Sequence, residues 1–188
     1  MAYVCLVMFV TSLIVHLENG DNMEKEFDEY FASVITISDK GSKGERMDTA
    51  GPAVSEILKK NNIKVSHTEI ISDDIDRIAG TLKKLADSGQ YQLIITTGGT
   101  GFSPRDNTPE ATKIIIEKEC PGISEYMRAE CVRITPRSAL SRGVSGIRNR
   151  TLIINLPGSE KAARENLTAI LPILDHALQM VSKVIEHN

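Results

Sequence analysis

Leu93-Ile94-Ile95-Thr96-Thr97-Gly98-Gly99-Thr100-Gly101-Phe102-Ser103-Pro104-Arg105-Asp106 is the stretch whose reading decides the fold. Its first five residues are apolar or β-branched and predict a buried strand. Gly98, Gly99 and Gly101 follow, and glycine can take positive φ and turn its N–H groups toward an anion. Arg105 and Asp106 put a cation and a carboxylate at the loop's exit. Thr108, Pro109 and Glu110 then suit the N-cap, first helical position and acidic first turn of a helix. Strand, glycine loop, charged pair and helix N-terminus form a phosphate-binding layout. The glycines alone match neither Gly-x-x-x-x-Gly-Lys-Ser/Thr nor Gly-x-Gly-x-x-Gly, and a plain tight turn is their other reading.

Outward from this stretch, Phe31 to Ser38 and Lys64 to Ile71 predict two more strands, and Leu152 to Asn155 a fourth. Helices are expected from Thr49, with Pro52 in the first turn, and after Asp73 or Asp74, with an apolar stripe Ile75, Ile78, Leu82, Leu85. Two more are expected around 109–119 and 123–131, broken by Pro121-Gly122. A long one is expected at about 160–186, kinked at Pro172. Strands alternating with amphipathic helices imply an α/β fold: a single three-layer domain, a mostly parallel sheet with helices on both faces. Ligands of such sheets bind beyond the carboxyl ends of the strands, where strand order switches. Three loops fall at that edge: Asp39 to Asp48, Ser72 to Asp74, and Gly98 to Asp106.

The candidate chemistry collects on those loops. Asp73 and Asp106 read either as cap and turn residues or as a pair of carboxylates for Mg²⁺, which takes one or two protein carboxylates plus phosphate oxygens. Ser38, Asp39 and the Lys40 to Arg46 segment read as an anion-wrapping loop or a mobile surface loop. Ser141-Arg142 lies in a stretch from Arg133 to Arg150 with five arginines, either an exposed irregular loop or a source of guanidinium donors for phosphate. Leu156-Pro157-Gly158 precedes another helix N-terminus on the same edge. His16, His67, His176 and His187 are isolated, without ligand spacing.

Taken whole, Thr-Thr-Gly-Gly-Thr-Gly, Pro-Arg-Asp and Thr-Pro-Glu-Ala-Thr resemble the signature of the molybdopterin adenylyltransferase family, which includes the G domain of gephyrin. The resemblance begins at Val34-Ile35-Thr36-Ile37-Ser38-Asp39 and continues through Pro121-Gly122, Ala139-Leu140-Ser141-Arg142 and Leu156-Pro157-Gly158. It implies a molybdopterin-binding-like fold and Mg²⁺-dependent adenylylation of molybdopterin by ATP, with pyrophosphate as the second product. A sister protein with altered activity and a gephyrin-like assembly module are the alternatives. By the same resemblance Asp73 and Asp106 are catalytic and hold Mg²⁺. Ser38, Asp39, Asp48, Gly98, Gly99, Thr100, Gly101, Arg105, Ser141, Arg142, Pro157 and Gly158 bind the substrates. The turn Ser72-Asp73-Asp74 carries Ser and Asp where the family's common residues are Pro and Glu. Relatives suggest a homotrimer and, as a partner, the molybdate-inserting enzyme of the same pathway.

Net charge is −3, with 22 basic and 25 acidic side chains, which argues against a nucleic-acid binder. Cys5, Cys120 and Cys131 show no Cys-x-x-Cys spacing and read as reduced thiols in a cytoplasmic protein. Residues 1–17 contain no Lys, Arg, Asp or Glu. The run is short for a membrane span and lacks a positive n-region, so residues 1–22 are expected to be a dispensable leader before a domain at 23–188, with no stable membrane association. A membrane or partner contact and an export signal are its other readings.

Overall fold

Eight consecutive residues, Tyr30–Ile37, form β1, and all but Phe31 are buried. The computed structural model, which describes residues 29–182, places this strand inside a six-stranded sheet. Its neighbours are β2 (Ile63–Ile71) on one side and β3 (Leu93–Thr97) on the other, both parallel to it. β6 (Thr151–Leu156) runs parallel beside β3. β5 (Ser145–Arg148) and β4 (Lys118–Glu119) complete the sheet as an antiparallel edge. The order is β2-β1-β3-β6-β5-β4, so the chain leaves β1 toward one edge, then crosses back to its other side. The crevice between the ends of β1 and β3 is the switch point of the sheet.

Each face of the sheet carries its own core. On one face Val34, Leu93, Ile95, Leu152 and Ile154 pack beneath helices α2 (Ala50–Lys60), α5 (Pro121–Val132) and α6 (Glu160–Ser182). On the other, Ile35, Ile37, Ile94 and Ile153 pack beneath α3 (Ile75–Asp87) and α4 (Thr108–Ile115). Successive strand residues point to opposite faces, so an uninterrupted apolar run such as Leu93-Ile94-Ile95 feeds both cores at once. The three-layer α/β reading is borne out.

Several local expectations need correction. The helix expected at 109–119 ends at Ile115, and 118–119 belong to β4. Pro121 does not break a helix but begins α5, where its missing N–H costs nothing. Cys120 therefore precedes the helix and is half-buried, while Cys131 within it is buried. The stretch expected to be irregular between Arg133 and Arg150 holds a 3₁₀ turn (Pro136–Leu140) and β5. Residues Asp39–Ser42, expected in an anion-wrapping or mobile surface loop, form one short helical turn, α1, capped by the Ser38 hydroxyl, which accepts from the Gly41 N–H at 3.0 Å. The expected long helix is present as α6, one continuous helix with Pro172 inside it. The leader at 1–22 lies outside the described residues. Among the described residues no helix is long and apolar enough to cross a membrane.

Candidate active site

The glycine loop is locked to both neighbouring strands. Gly98 has φ +106 and its N–H donates to the Leu156 carbonyl of β6 at 3.0 Å. A Cβ at Gly98 would collide with the Ile37 carbonyl of β1, and one at Gly99 (φ +64) would collide with the Thr108 hydroxyl. These two positions therefore require glycine for backbone shape and for space. Thr108, expected to cap α4, is instead its first residue, and its hydroxyl donates to the Gly98 carbonyl at 2.9 Å. Asn107 holds the cap position without a side-chain bond to the helix. The N–H groups of Gly99, Thr100 and Gly101 donate to no acceptor among the described residues. Successive unpaired N–H groups at a glycine turn are a ready site for an anion.

Two clefts lie on either side of this loop and share Gly99, Asp106 and Gly158 in their walls. The first, about 360 Å³, is polar; Ser38, Asp48, Asp73, Gly98 and Ser159 also border it. The second, about 370 Å³, is bordered by Thr100, Gly101, Ser141 and Pro157, with the apolar Leu140 and Ala162. A larger groove of about 780 Å³ between α2 and β2 adjoins the first cleft through Thr36 and Asp48. That groove is the larger, but the glycine loop and the paired carboxylates border the two smaller clefts.

Asp73 and Asp74 divide the work that the sequence left open between them. Asp74 caps α3, its carboxylate accepting from the Arg77 N–H at 2.9 Å. Asp73 is thereby released from capping. Its Oδ2 accepts from the Asp39 N–H at 2.6 Å, and its own N–H donates to Asp39 Oδ1 at 3.0 Å. This reciprocal pair ties the loop after β1 to the loop after β2. Burial, and then the negative charges of Asp39 and Asp106, push the Asp73 carboxyl above its ordinary value. Asp39 shifts the other way, because Arg105 grips it with two hydrogen bonds of 2.9 and 2.8 Å and the Asp73 N–H adds a third. That grip spans the switch-point crevice from the glycine loop to β1.

Asp106 bends back on its own loop, with Oδ2 accepting from the Ser103 N–H at 2.8 Å. A side chain at Gly101 would press on that carboxylate, its Cβ lying 2.9 Å from Asp106 Oδ2. Asp73 Oδ1 lies 3.4 Å from where a Gly99 Cβ would stand. The two carboxylates thus flank the glycine loop, and Oδ1 of each accepts no hydrogen bond among the described residues. A carboxylate with a raised pKa, a like-charged neighbour and a spare oxygen on each group fit a divalent cation shared with phosphate oxygens. No three His, Cys, Asp or Glu side chains gather as an all-protein metal site among the described residues.

Of the residues expected to bind substrates, Ser38, Asp48, Gly98, Gly99, Thr100, Gly101, Ser141, Pro157 and Gly158 border the clefts. Asp39, Arg105 and Arg142 border neither and support the loops from behind. Asp48 also holds structure: its Oδ1 accepts from the N–H groups of Ala50 and Gly51 at 3.0 Å, and its Oδ2 accepts from the Thr36 hydroxyl at 2.6 Å. It caps α2 in place of Thr49, which makes no side-chain cap bond. Sequence reasoning missed Arg137, Glu165 and Asn166 in the second cleft. Ala162, Glu165 and Asn166 recur at i, i+3, i+4 on the first turns of α6, so one face of that helix was the available signal.

Residues 33–176 match the sequence profile described as "Probable molybdopterin binding domain". The chain belongs to that molybdopterin-binding domain family. Among its members, the molybdopterin adenylyltransferase of Helicobacter pylori (strain J99) is 43% identical over 150 residues, 79% of this chain and 85% of that protein. Drosophila melanogaster molybdenum cofactor synthesis protein cinnamon is 44% identical over 150 residues, but these span only 25% of its length. The molybdopterin biosynthesis enzyme MoaB of Thermus thermophilus superposes with TM-score 0.78 at 48% identity, covering 81% of this chain and 96% of that one. A Pyrococcus furiosus MoaB described as tungsten cofactor synthesizing superposes at 0.75 with 32% identity, covering 83% and 99%.

Proposed function

We propose that this chain adenylylates molybdopterin in molybdenum cofactor biosynthesis. A terminal phosphate oxygen of molybdopterin attacks the α-phosphorus of ATP; the new P–O bond forms as the bond to the bridging oxygen breaks, and pyrophosphate leaves. The observation that carries this reading is the flanking of one glycine loop by Asp73 and Asp106, each with a spare oxygen, between two joined clefts. Two substrates that react through phosphates need such an arrangement: one pocket for each body and a shared polar wall where the phosphates meet. The relatives named molybdopterin adenylyltransferase support the choice of substrates.

The work of the protein groups is positioning and charge stabilisation. The unpaired N–H groups at Gly99, Thr100 and Gly101 would hold phosphate oxygens at the wall between the clefts. Arg105, fixed by Asp39, adds positive charge at the loop's exit. Asp73 and Asp106 would hold Mg²⁺ through their spare oxygens, where it would supply charge neutralisation for the triphosphate. No covalent enzyme intermediate is required. The second cleft, with Leu140, Pro157 and Ala162 in its walls, suits the flat pterin ring. Incubating the chain with molybdopterin, ATP and Mg²⁺ should yield adenylylated molybdopterin and pyrophosphate in equal amounts. Molybdopterin bound without turnover would replace this reading by that of a binding protein.

A further inference from the structure

Arg142 lies between the 3₁₀ turn and β5, and it grips the glycine loop from outside both clefts. Its main-chain N–H donates to the Thr100 carbonyl at 2.9 Å. Its Nε donates to the Gly101 carbonyl at 2.7 Å, and its Nη2 donates to the Asp106 carbonyl. Nη1 and Nη2 both donate to the Glu110 carboxylate on the first turn of α4. Four of the guanidinium's five N–H donors are thus occupied by this chain. Although burial alone would raise it, the Glu110 carboxyl is held below its ordinary value, chiefly by the Arg142 hydrogen bond.

A loop of glycines has no side chains with which to fix itself, and its backbone groups must still find partners. One planar fork that reaches residues 101, 106 and 110 supplies them together. We infer that Arg142, with Glu110 as its counter-charge, is a positioning residue: it holds Gly101 and Asp106 in one geometry and does not itself grip substrate. This rests on the adenylyltransfer reading for its consequence in turnover, but not for its consequence in loop order. A lysine cannot replace the fork, because a single ammonium cannot satisfy the same set of acceptors in one plane.

The test uses the full chain and the variants Arg142→Met, Arg142→Lys and Glu110→Gln. Amide hydrogen exchange over residues 98–107, measured without substrate, should quicken about tenfold or more in Arg142→Met, as befits the loss of charge-assisted bonds. Exchange in β1 and β3 should stay unchanged. In turnover, kcat should fall about 100-fold with KM for molybdopterin within a few-fold, the signature of a misplaced group. Arg142→Lys should recover only part of either effect. Glu110→Gln, which keeps an acceptor, should move both in the same direction by less. A tenfold rise in KM with kcat unchanged would make Arg142 a substrate ligand and overturn the inference, as would unaltered loop exchange in Arg142→Met. Should the wild-type chain make no adenylylated product, the exchange experiment still decides the role of Arg142, and only the proposed reaction falls.

Discussion

The two clefts share the glycine loop and differ in almost everything else. The first is mainly polar, with Asp48, Asp73 and the hydroxyls of Ser38 and Ser159 in its wall; the second is more apolar, with Leu140, Pro157 and Ala162 beside Arg137, Glu165 and Asn166. They are nearly equal in volume, about 360 and 370 Å³. Under the proposed reaction, one loop of a few residues would separate charge handling from ring recognition. Changes on the first side should therefore damage the chemical step, and changes on the second should damage binding of one substrate.

The strongest way to break this division is at the carboxylates. Asp73→Asn and Asp106→Asn should each lower kcat about 100- to 1000-fold, as for loss of one transition-state charge contact. Molybdopterin binding should survive in both, measured by titration calorimetry. Melting points should barely change, because Asn keeps the oxygen that accepts from the Asp39 or Ser103 N–H. The double variant should fall far short of the product of the single losses, since both residues serve one site. Near-normal turnover by Asp106→Asn would remove the first cleft from the chemistry.

A smaller effect is expected on the other side of the loop. Ala162→Leu fills part of the second cleft. Molybdopterin affinity should weaken by at least about 10-fold, since a mismatch of even one methylene in a pocket costs about that much. ATP affinity should be unaffected. Equal loss for both substrates would mean that the clefts are not separate sites.

The smallest effects are in pH dependence, and they sharpen the electrostatics of the first cleft. Asp73 is raised by burial and by like charges, so its anion is lost on acidification at a pH above that of an ordinary aspartate. Activity should decline in that window, and Asp106→Asn should move the Asp73 midpoint down; a carboxyl-carbon NMR titration reads this directly. For stability the signs oppose. Asp39 is depressed, so its contribution is present above the ordinary carboxylate pKa and fades as pH falls through its lowered value. Asp73 favours the folded state when protonated, so its cost appears as pH rises through its raised value. The two windows lie on opposite sides of the ordinary carboxylate value, so melting points should rise slightly as pH falls through the raised value of Asp73 and drop only below the ordinary carboxylate range, the second change small because the Asp39–Arg105 pair is partly exposed.

The sequence made the parallel half of the fold legible and the antiparallel half not. Leu93-Ile94-Ile95 is a continuous apolar run and Phe31 to Ser38 a largely apolar, β-branched one, because both faces of those strands are covered. β4 has two residues and β5 four, too few for any period to register, and β4 is exposed. In the site, the glycine loop and Asp106 were legible because strand, glycines, charged pair and helix start follow one another in a single stretch. Which of Asp73 and Asp74 caps α3 was not, since either spacing suits a cap and only the Asp39 contacts separate them. Arg142 was assigned by type to phosphate, whereas the acceptors it finds are carbonyl oxygens more than 30 residues earlier in the chain, at Gly101 and Asp106.

The placement of β6 has a consequence for how the protein is made. The glycine loop depends on the Leu156 carbonyl, and Gly158 packs with its Cβ direction 3.0 Å from the Gly98 Cα. A nascent chain that has emerged only as far as residue 150 can pair β1, β2 and β3 but still lacks the strand against which the loop is fixed. Synthesis therefore delivers a carboxylate-rich edge well before it delivers the wall that organises it. Any substrate-competent geometry must wait for the last third of the chain, so a ribosome stalled before β6 displays a sheet without a working site.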